Sequence, residues 1–178
     1  MAELGIGEVG WPALILALVT LHRLGELMLA RRNTKALLAR GAHEVGQGHY
    51  PLIVAVHAAW LAALWWLAPG RPVIWPLVGL FLLLQAGRLW VLTTLGRRWT
   101  TRIIVLPDAP LVKDGPYRWL RHPNYAVVVG EIAVLPLAFG LWQLAALFTL
   151  LNGIVLAIRI RAEGQALAAP AFPRSIAR

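Results

Sequence analysis

Apolar residues along this chain gather in five long runs separated by polar connections. Four of the runs approach the ~20 residues with which a helix crosses a bilayer. The fourth run has about 14 residues, which rise only ~21 Å as a helix, and Gly140 follows it directly. The pattern predicts an all-α integral membrane protein with about five transmembrane helices, the last two forming a tight helical hairpin. The runs cover roughly residues 9–30, 51–68, 73–95, 126–139 and 141–158.

The longest connection contains a rigid polar segment, GPYRWLRHPNY, at residues 115–125. Pro116 and Pro123 fix their own φ angles and disfavour helical geometry at the preceding residue, so this segment cannot form one continuous helix. Its arginines, histidine and tyrosines could converge on an anionic or amphiphilic ligand at the membrane surface. A loop that only attracts anionic lipid headgroups is the alternative, but that function needs neither the histidine nor the stiffness of two prolines.

Charge and composition strengthen the membrane interpretation. Apolar residues make up 59% of the chain and the mean hydropathy is +0.66, against roughly 45–50% apolar residues in soluble domains. The net charge of +9 comes mainly from lysines and arginines in residues 31–50, 96–124 and the C-terminal segment. These are alternate connections, so the positive-inside bias predicts an external N-terminus and a cytoplasmic C-terminus. Membrane orientation therefore explains the charge, and we expect no nucleic-acid partner.

Two absences restrict the chemistry. The chain has no cysteine, and its one serine, Ser175, lies near the C-terminus. Disulfides, thiolate metal sites and a thiol nucleophile are therefore excluded, and covalent acyl-enzyme chemistry is nearly excluded. The histidines do not recur at the spacing of four that a helical metal site would use, so we predict no metal. Any catalysis should transfer a group directly.

Several ionisable residues lie within the apolar runs. An ionisable group at membrane depth is costly and suggests a function or a paired partner. For Glu131 the candidate partner is Arg88, and both structural pairing and a role beside an acceptor site are open. His22 and Glu26 are four residues apart, which favours structural pairing. His57 is alone on an apolar helix, which is typical of a hydrogen-bonded packing residue.

A second polar feature ends the last run, in the sequence IRIRAEGQAL. Arg159 and Glu163 are four residues apart and share a helical face. A surface ion pair worth ~0.3–0.5 kcal/mol is one interpretation. The predicted topology also brings this helix end to the same membrane face as the segment 96–124, so the two could form one site.

PLVKDGPYRWLRHPNY, a helical hairpin and then RIRAE together resemble the isoprenylcysteine carboxyl methyltransferase family of integral-membrane enzymes. The resemblance covers about the C-terminal half of the chain. The N-terminal half, with ARRNTKALLARGAHEVGQGHYP, resembles a bacterial branch associated with type III polyketide synthases. The chain then forms a single domain over residues 1–178. Residues 1–95 would supply three helices, and residues 96–178 the cofactor-binding loop, the hairpin and the C-terminal helix end.

The resemblance implies S-adenosylmethionine as cofactor. It places Glu163 in contact with the cofactor and Arg159 toward the methyl acceptor. Two departures concern Ala109, where many relatives have histidine, and Gly164, where a second glutamate is common. The remaining implied cofactor-binding residues are Leu111, Val112, Tyr117, His122, Pro123, Asn124 and Tyr125.

The methyl acceptor is left open by the sequence. A carboxylate needs only a cation such as Arg159 to orient it, whereas a phenol or enol would gain from a base, for which Glu131 or His122 is available. The bacterial resemblance favours a lipid-tailed small molecule, an alkylpyrone or phenolic lipid, methylated at the cytoplasmic face of the bacterial plasma membrane. It also implies a functional link to a type III polyketide synthase. Phospholipid N-methylation and a noncatalytic lipid-binding membrane protein are the alternatives.

Overall fold

The computed structural model describes residues 6–107 and 109–168, and it is predominantly helical. The predictions that concern Arg174, Ser175 and Arg178 lie outside these residues. Within them the chain forms five α-helices and one pair of short strands. The elements in chain order are α1 (Ile6–Leu38), β1 (His43–Val45), α2 (Tyr50–Leu67), α3 (Trp75–Leu95), β2 (Ile103–Val105), α4 (Pro123–Ala138) and α5 (Trp142–Ala168).

Four of the described helices, α1, α2, α3 and α5, are long and apolar enough to cross a membrane. The membrane-protein prediction is confirmed at this level. Helix α4 is shorter, as its apolar run indicated, because it ends in a tight turn before α5. In that turn the amides of Phe139 and Leu141 donate to Pro136 O, each at 3.0 Å, and Gly140 has φ +69°. The predicted hairpin of the last two helices is therefore present.

Helices α1 and α5 extend further than the apolar runs indicated. Helix α1 continues to Leu38 and α5 to Ala168, whereas the runs ended near residues 30 and 158. The extensions consist largely of Ala, Leu, Arg, Lys and Glu, which favour helix without being apolar. Asn33 fixes the α1 extension, since its Nδ2 donates to Trp99 O at 2.8 Å and to Gly96 O at 3.2 Å.

The small antiparallel sheet was not predicted. Strands β1 and β2 pair with His43 opposite Val105 and Val45 opposite Ile103. Arg102 donates to both carboxylate oxygens of Glu44 at 2.8 and 2.9 Å, and this carboxylate raises the pKa of the guanidinium above its usual value. The sheet joins the two basic connections, 31–50 and 96–124.

Trp99, in the connection that follows α3, lies in the interior of the protein. The structure buries it to 2% exposure, in a small cluster with Ala30 and Val91. The cluster forms because α1 extends far enough to cover the residues that follow α3. By contrast, Trp11 and Trp75 remain exposed and meet edge to face at 5.4 Å, at the start of their helices.

Helix α4 packs against both α3 and α5, and α5 also packs against α2. The amide of Ile74, just before α3, donates to Ala138 O at the end of α4 at 2.8 Å, so these helices are antiparallel. The other end of the bundle collects the ends of α1, α3 and α5 and the starts of α2 and α4. We call it the basic end, because the basic connections lie there.

Candidate functional site

The candidate site lies at the basic end and centres on the hydroxyl of Tyr125. This hydroxyl donates to Glu163 Oε2 at 2.5 Å and accepts from Arg159 Nε at 2.9 Å. Helix α4 supplies Tyr125 from its first turn, and α5 supplies the other two residues four positions apart. Arg159 is held further by Thr101 O at 2.8 Å. A carboxylate and a guanidinium are thus fixed on either side of one phenol.

His122 extends this cluster on the side of Glu163. Its ring stacks on Tyr125 at 5.1 Å between centroids, and its Nδ1 lies 3.9 Å from Glu163 Oε2. His122 precedes Pro123, which begins α4, and its backbone angles, φ −134° and ψ 62°, lie outside the helical region. The segment GPYRWLRHPNY is therefore not one helix, as predicted: a short 3-10 turn covers residues 115–118 and α4 starts at Pro123.

Tyr117, on the 3-10 turn, belongs to the same electrostatic environment. Burial raises the pKa of its phenol to about 12, and the negative charge of Glu163 adds to this effect. Tyr117 therefore stays protonated at neutral pH and can donate a hydrogen bond. The turn sits close to α3 because Gly115 has φ +55° and no side chain; a Cβ there would lie 2.4 Å from Thr94 Oγ1.

The other predicted cofactor-binding residues lie within the same segment or just before it. Leu111 is exposed and Val112 half-buried, on a stretch tethered by Arg98, whose guanidinium donates to Pro110 O at 2.6 Å. Pro123 is buried at the start of α4. Asn124 is half-buried, and its Oδ1 has no hydrogen-bond partner among the described residues. Ala109, one of the two family departures, lies on this stretch, and Gly164 is exposed on α5.

Next to the cluster lies a cavity of about 360 Å³ among α1, α2, α4 and α5, and Asn124, Tyr125 and Arg159 form part of its wall. Most of its lining is apolar. Leu24 on α1 and Val54 on α2 line it, and each is about half exposed. The wall of the cavity on the side of these two helices is therefore partly exposed.

Glu131 lies in a buried ion network, at 0% exposure. Its Oε2 accepts from Arg23 at 2.6 Å and from Arg88 at 2.9 Å, and its Oε1 accepts from Gln85 at 2.6 Å. Both arginines also bind Glu26. The predicted partner Arg88 is thus found, and these contacts favour the structural pairing that the sequence allowed. The role of Glu131 beside an acceptor remains a prediction.

His22, assigned to structural pairing with Glu26, and His57, assigned to packing, both make the expected contacts. His22 Nε2 lies 3.7 Å from Glu26 Oε1. His57 Nδ1 lies 2.8 Å from Ile53 O, and the same ring lines the cavity.

Several wall residues of the cavity were not found by sequence reasoning: Tyr50, Trp99, Thr101 and Asn152. Tyr50 and Thr101 hydrogen-bond to each other at 3.1 Å across 51 residues of sequence. A signal was available for Asn152, which is an amide within a run of apolar residues. No local signal places Thr101 beside Arg159, because the contact depends on the β1–β2 pairing.

The residues present suit S-adenosylmethionine, whose amino acid part carries a carboxylate and an ammonium and whose sulfur is cationic. Glu163 supplies a negative charge, Tyr117 and His122 supply hydrogen-bonding groups, and Asn124 has an unpartnered acceptor. Arg118 and Arg121 are exposed on the adjoining loop and add positive charge. The donor set therefore fits this cofactor, and the apolar cavity lies next to Tyr125.

Comparisons with known proteins place the chain in a family. The model of the isoprenylcysteine carboxyl methyltransferase (ICMT) family matches residues 77–169, which include the whole candidate cluster. The uncharacterized protein YpbQ of Bacillus subtilis (strain 168) is 36% identical over 86% of this chain and 95% of its own length. An uncharacterized protein of Haemophilus influenzae (strain ATCC 51907 / DSM 11121 / KW20 / Rd) is 29% identical over 86% of this chain and 92% of its own. No solved structure matches the chain significantly.

Proposed function

The chain belongs to the isoprenylcysteine carboxyl methyltransferase family, which makes it a membrane methyltransferase, and on that premise we propose that S-adenosylmethionine is its cofactor and a lipid-tailed molecule its acceptor. The methylated atom is a carboxyl or hydroxyl oxygen. The observation that carries the proposal is the Tyr125 hydroxyl, which binds Glu163 and Arg159 together at the wall of an apolar cavity. The Glu163 side of this hydroxyl suits a cationic cofactor, and the Arg159 side suits an anionic acceptor.

On the cofactor side, Glu163, His122 and Tyr117 hold the ligand. When bound, S-adenosylmethionine supplies a methyl group from a cationic sulfur. The glutamate is fixed by Tyr125 and is therefore oriented before the ligand arrives, which lowers the entropy lost on binding.

On the acceptor side, Arg159 orients the oxygen that receives the methyl group. Its guanidinium is fixed by Tyr125 and Thr101 O, so the acceptor oxygen is held at a constant position. Holding two reactants in line can supply about 7–11 kcal/mol of the barrier reduction. A carboxylate acceptor is ionised at neutral pH and requires no base. A hydroxyl acceptor gains from a base, and His122, which belongs to the cluster, is the proposed one.

The acceptor tail occupies the cavity and enters from the lipid between α1 and α2. Leu24 and Val54 support this route, because each lines the cavity and is about half exposed. The active site lies at the cytoplasmic face of a bacterial plasma membrane, since the basic connections gather at that end of the bundle. An alkylpyrone or phenolic lipid made by a type III polyketide synthase is the proposed acceptor.

The test is calorimetric titration of S-adenosylmethionine and S-adenosylhomocysteine into purified protein in lipid nanodiscs. We expect saturable binding by the wild type and at least a tenfold loss in Glu163→Gln, because a hydrogen bond to a charged group contributes about 1.5–3 kcal/mol. Glu44→Gln is the matched control, since it neutralises another carboxylate at the basic end that pairs with Arg102. Equal affinity in wild type and Glu163→Gln would refute the cofactor site.

A further inference from the structure

The cavity behind Tyr125 has two polar levels with an apolar layer between them. The upper level contains Tyr50 on α2 and Arg159 on α5, and the lower level contains His57 and Asn152 on the same two helices. His57 follows Tyr50 by seven residues on α2, and Asn152 precedes Arg159 by seven residues on α5, which corresponds to ~10 Å along each helix. The layer between consists of Ile53, Val128, Val155 and Leu156.

The lower level offers hydrogen-bonding groups that the protein does not use. Asn152 is only 3% exposed, and its Nδ2 has no partner among the described residues. His57 Nδ1 lies 2.8 Å from Ile53 O, so this nitrogen carries the proton and Nε2 is left as an acceptor. Buried donors without partners are rare in proteins and call for an explanation. Both residues line the cavity, so the lower level contains an unpartnered amide and an imidazole whose Nε2 can accept a hydrogen bond.

The charges at this depth are already balanced. Arg23, Glu26 and Arg88 also line the cavity, and with Glu131 they form a network of two cations and two anions joined by hydrogen bonds. A charged ligand group would have to disrupt these pairs, whereas an uncharged one would not. The lower level is therefore suited to a neutral polar group.

We propose that the lower level binds a second, uncharged polar group of the acceptor, a hydroxyl or carbonyl about 10 Å from the oxygen that is methylated. A hydroxyl fits best, because it accepts from Asn152 Nδ2 and donates to His57 Nε2. This inference rests on the proposed function for the identity of the upper group, and it specifies the substrate class. The acceptor is a lipid oxygenated along its chain, and a plain hydrocarbon tail leaves Asn152 unpaired.

The experiment compares two probes that differ in one group. Octadecanoic acid places its carboxylate at Arg159, and its analogue with a hydroxyl on the tenth carbon places that hydroxyl at the lower level. Affinities are measured by competition against the tritiated hydroxy acid, using full-length protein in nanodiscs. The variants are Asn152→Leu, which removes the amide at similar volume, and Thr149→Val. The latter is the matched control, since Thr149 Oγ1 is also buried and unpartnered on α5 but is not part of the cavity wall.

We expect the wild type to bind the hydroxy acid about tenfold more tightly, as for one well-formed buried hydrogen bond. Asn152→Leu should lose this preference, because it weakens only the binding of the hydroxy acid. Thr149→Val should keep the preference. Replacing an unpartnered amide by an apolar group should not unfold the protein. In addition, the melting temperature of the wild type should rise more with the hydroxy acid than with octadecanoic acid, which tests the preference without any variant.

Equal binding of both acids to the wild type, or an unchanged preference in Asn152→Leu, would overturn the inference and assign the lower level to bound water. Titration of S-adenosylmethionine into the same samples separates this result from a failure of the proposed function. If the cofactor binds but the hydroxy acid is not preferred over octadecanoic acid, only the proposal of a second polar group is refuted. A preference without cofactor binding refutes the methyltransferase cofactor site and leaves a cavity for oxygenated lipids.

Discussion

At the scale of single residues, Tyr125 links the two halves of the candidate site. Its hydroxyl donates to a carboxylate and accepts from a guanidinium, so removing that oxygen leaves both charged groups without a shared partner. The phenyl ring also stacks on His122, and Phe keeps this contact. Tyr125→Phe therefore tests the hydroxyl separately from the packing.

We predict that Tyr125→Phe weakens S-adenosylmethionine binding by about tenfold, since hydrogen bonds to charged groups contribute about 1.5–3 kcal/mol. The loss should be smaller when Glu163 is already Gln, because the hydroxyl acts through that carboxylate. Calorimetry on wild type, both single variants and the double variant gives the coupling. Fully additive losses would show that the hydroxyl and the carboxylate act independently.

Single residues also show how far sequence reasoning reached. The prolines, His122, Tyr125, Arg159 and Glu163 could be singled out, because polar and rigid residues stand out among apolar ones. That Arg159 and Glu163 would meet through Tyr125 could not be predicted, since it depends on how α4 and α5 pack. The place of Asn152 in the cavity wall was not predicted, because the apolar residues around it indicate only a transmembrane helix.

At the scale of secondary-structure elements, the 3-10 turn at residues 115–118 positions Tyr117 by lying against α3. A Cβ on Gly115 would meet Thr94 Oγ1 at 2.4 Å, Thr94 Cγ2 at 3.1 Å and Trp90 Nε1 at 3.2 Å. The positive φ adds a further cost of roughly 1–2 kcal/mol for any residue with a side chain. The close approach of turn and helix thus requires glycine.

We predict that Gly115→Ala displaces the turn and weakens cofactor binding several-fold by moving Tyr117. Thr94→Ala removes both contacted Thr94 atoms and should restore part of the affinity in the double variant. Gly41→Ala is the control, because Gly41 also has a positive φ, +86°, but open space around it; it should strain the backbone without affecting the site. Calorimetric affinities and melting temperatures of the variants provide the measurement, and unchanged affinity in Gly115→Ala would contradict the role of this contact.

Local sequence patterns located the helices, whereas elements that depend on tertiary packing could not be located from the sequence. Apolar runs located all five helices, because burial in lipid requires apolar residues over a fixed length. They underestimated α1 and α5, which continue past the apolar region through residues of high helix propensity. The β1–β2 pair could not be predicted, since two three-residue strands at least 58 residues apart have no local pattern that links them.

At the scale of the whole molecule, the buried network joins α1, α3 and α4 through four charges. Glu131 and Glu26 each bind both Arg23 and Arg88, so every charge has two partners. Breaking such a buried pair by removing one partner typically costs about 3–5 kcal/mol, because the remaining charge is left uncompensated.

We predict that Glu131→Gln lowers the melting temperature in detergent markedly, with a loss of about 3–5 kcal/mol. Combining it with Arg88→Gln should recover part of the loss, since Arg23 and Glu26 then remain as a neutral pair. Glu44→Gln is the control: its partner Arg102 is 42% exposed, so the loss should not exceed about 1 kcal/mol. If the double variant melts lower than Glu131→Gln alone, uncompensated charge is not the cause.

The same network has a consequence for the order in which the protein is made and inserted. Arg23 and Glu26 neighbour each other on α1 and can enter the membrane already paired. When α3 follows, Arg88 adds one uncompensated positive charge to the membrane interior. Only the synthesis of α4 delivers Glu131 and restores neutrality. The shortest helix, α4, is therefore the element that completes the network. A nascent chain that contains only α1 to α3 keeps the uncompensated charge of Arg88 and is incompletely folded in the membrane.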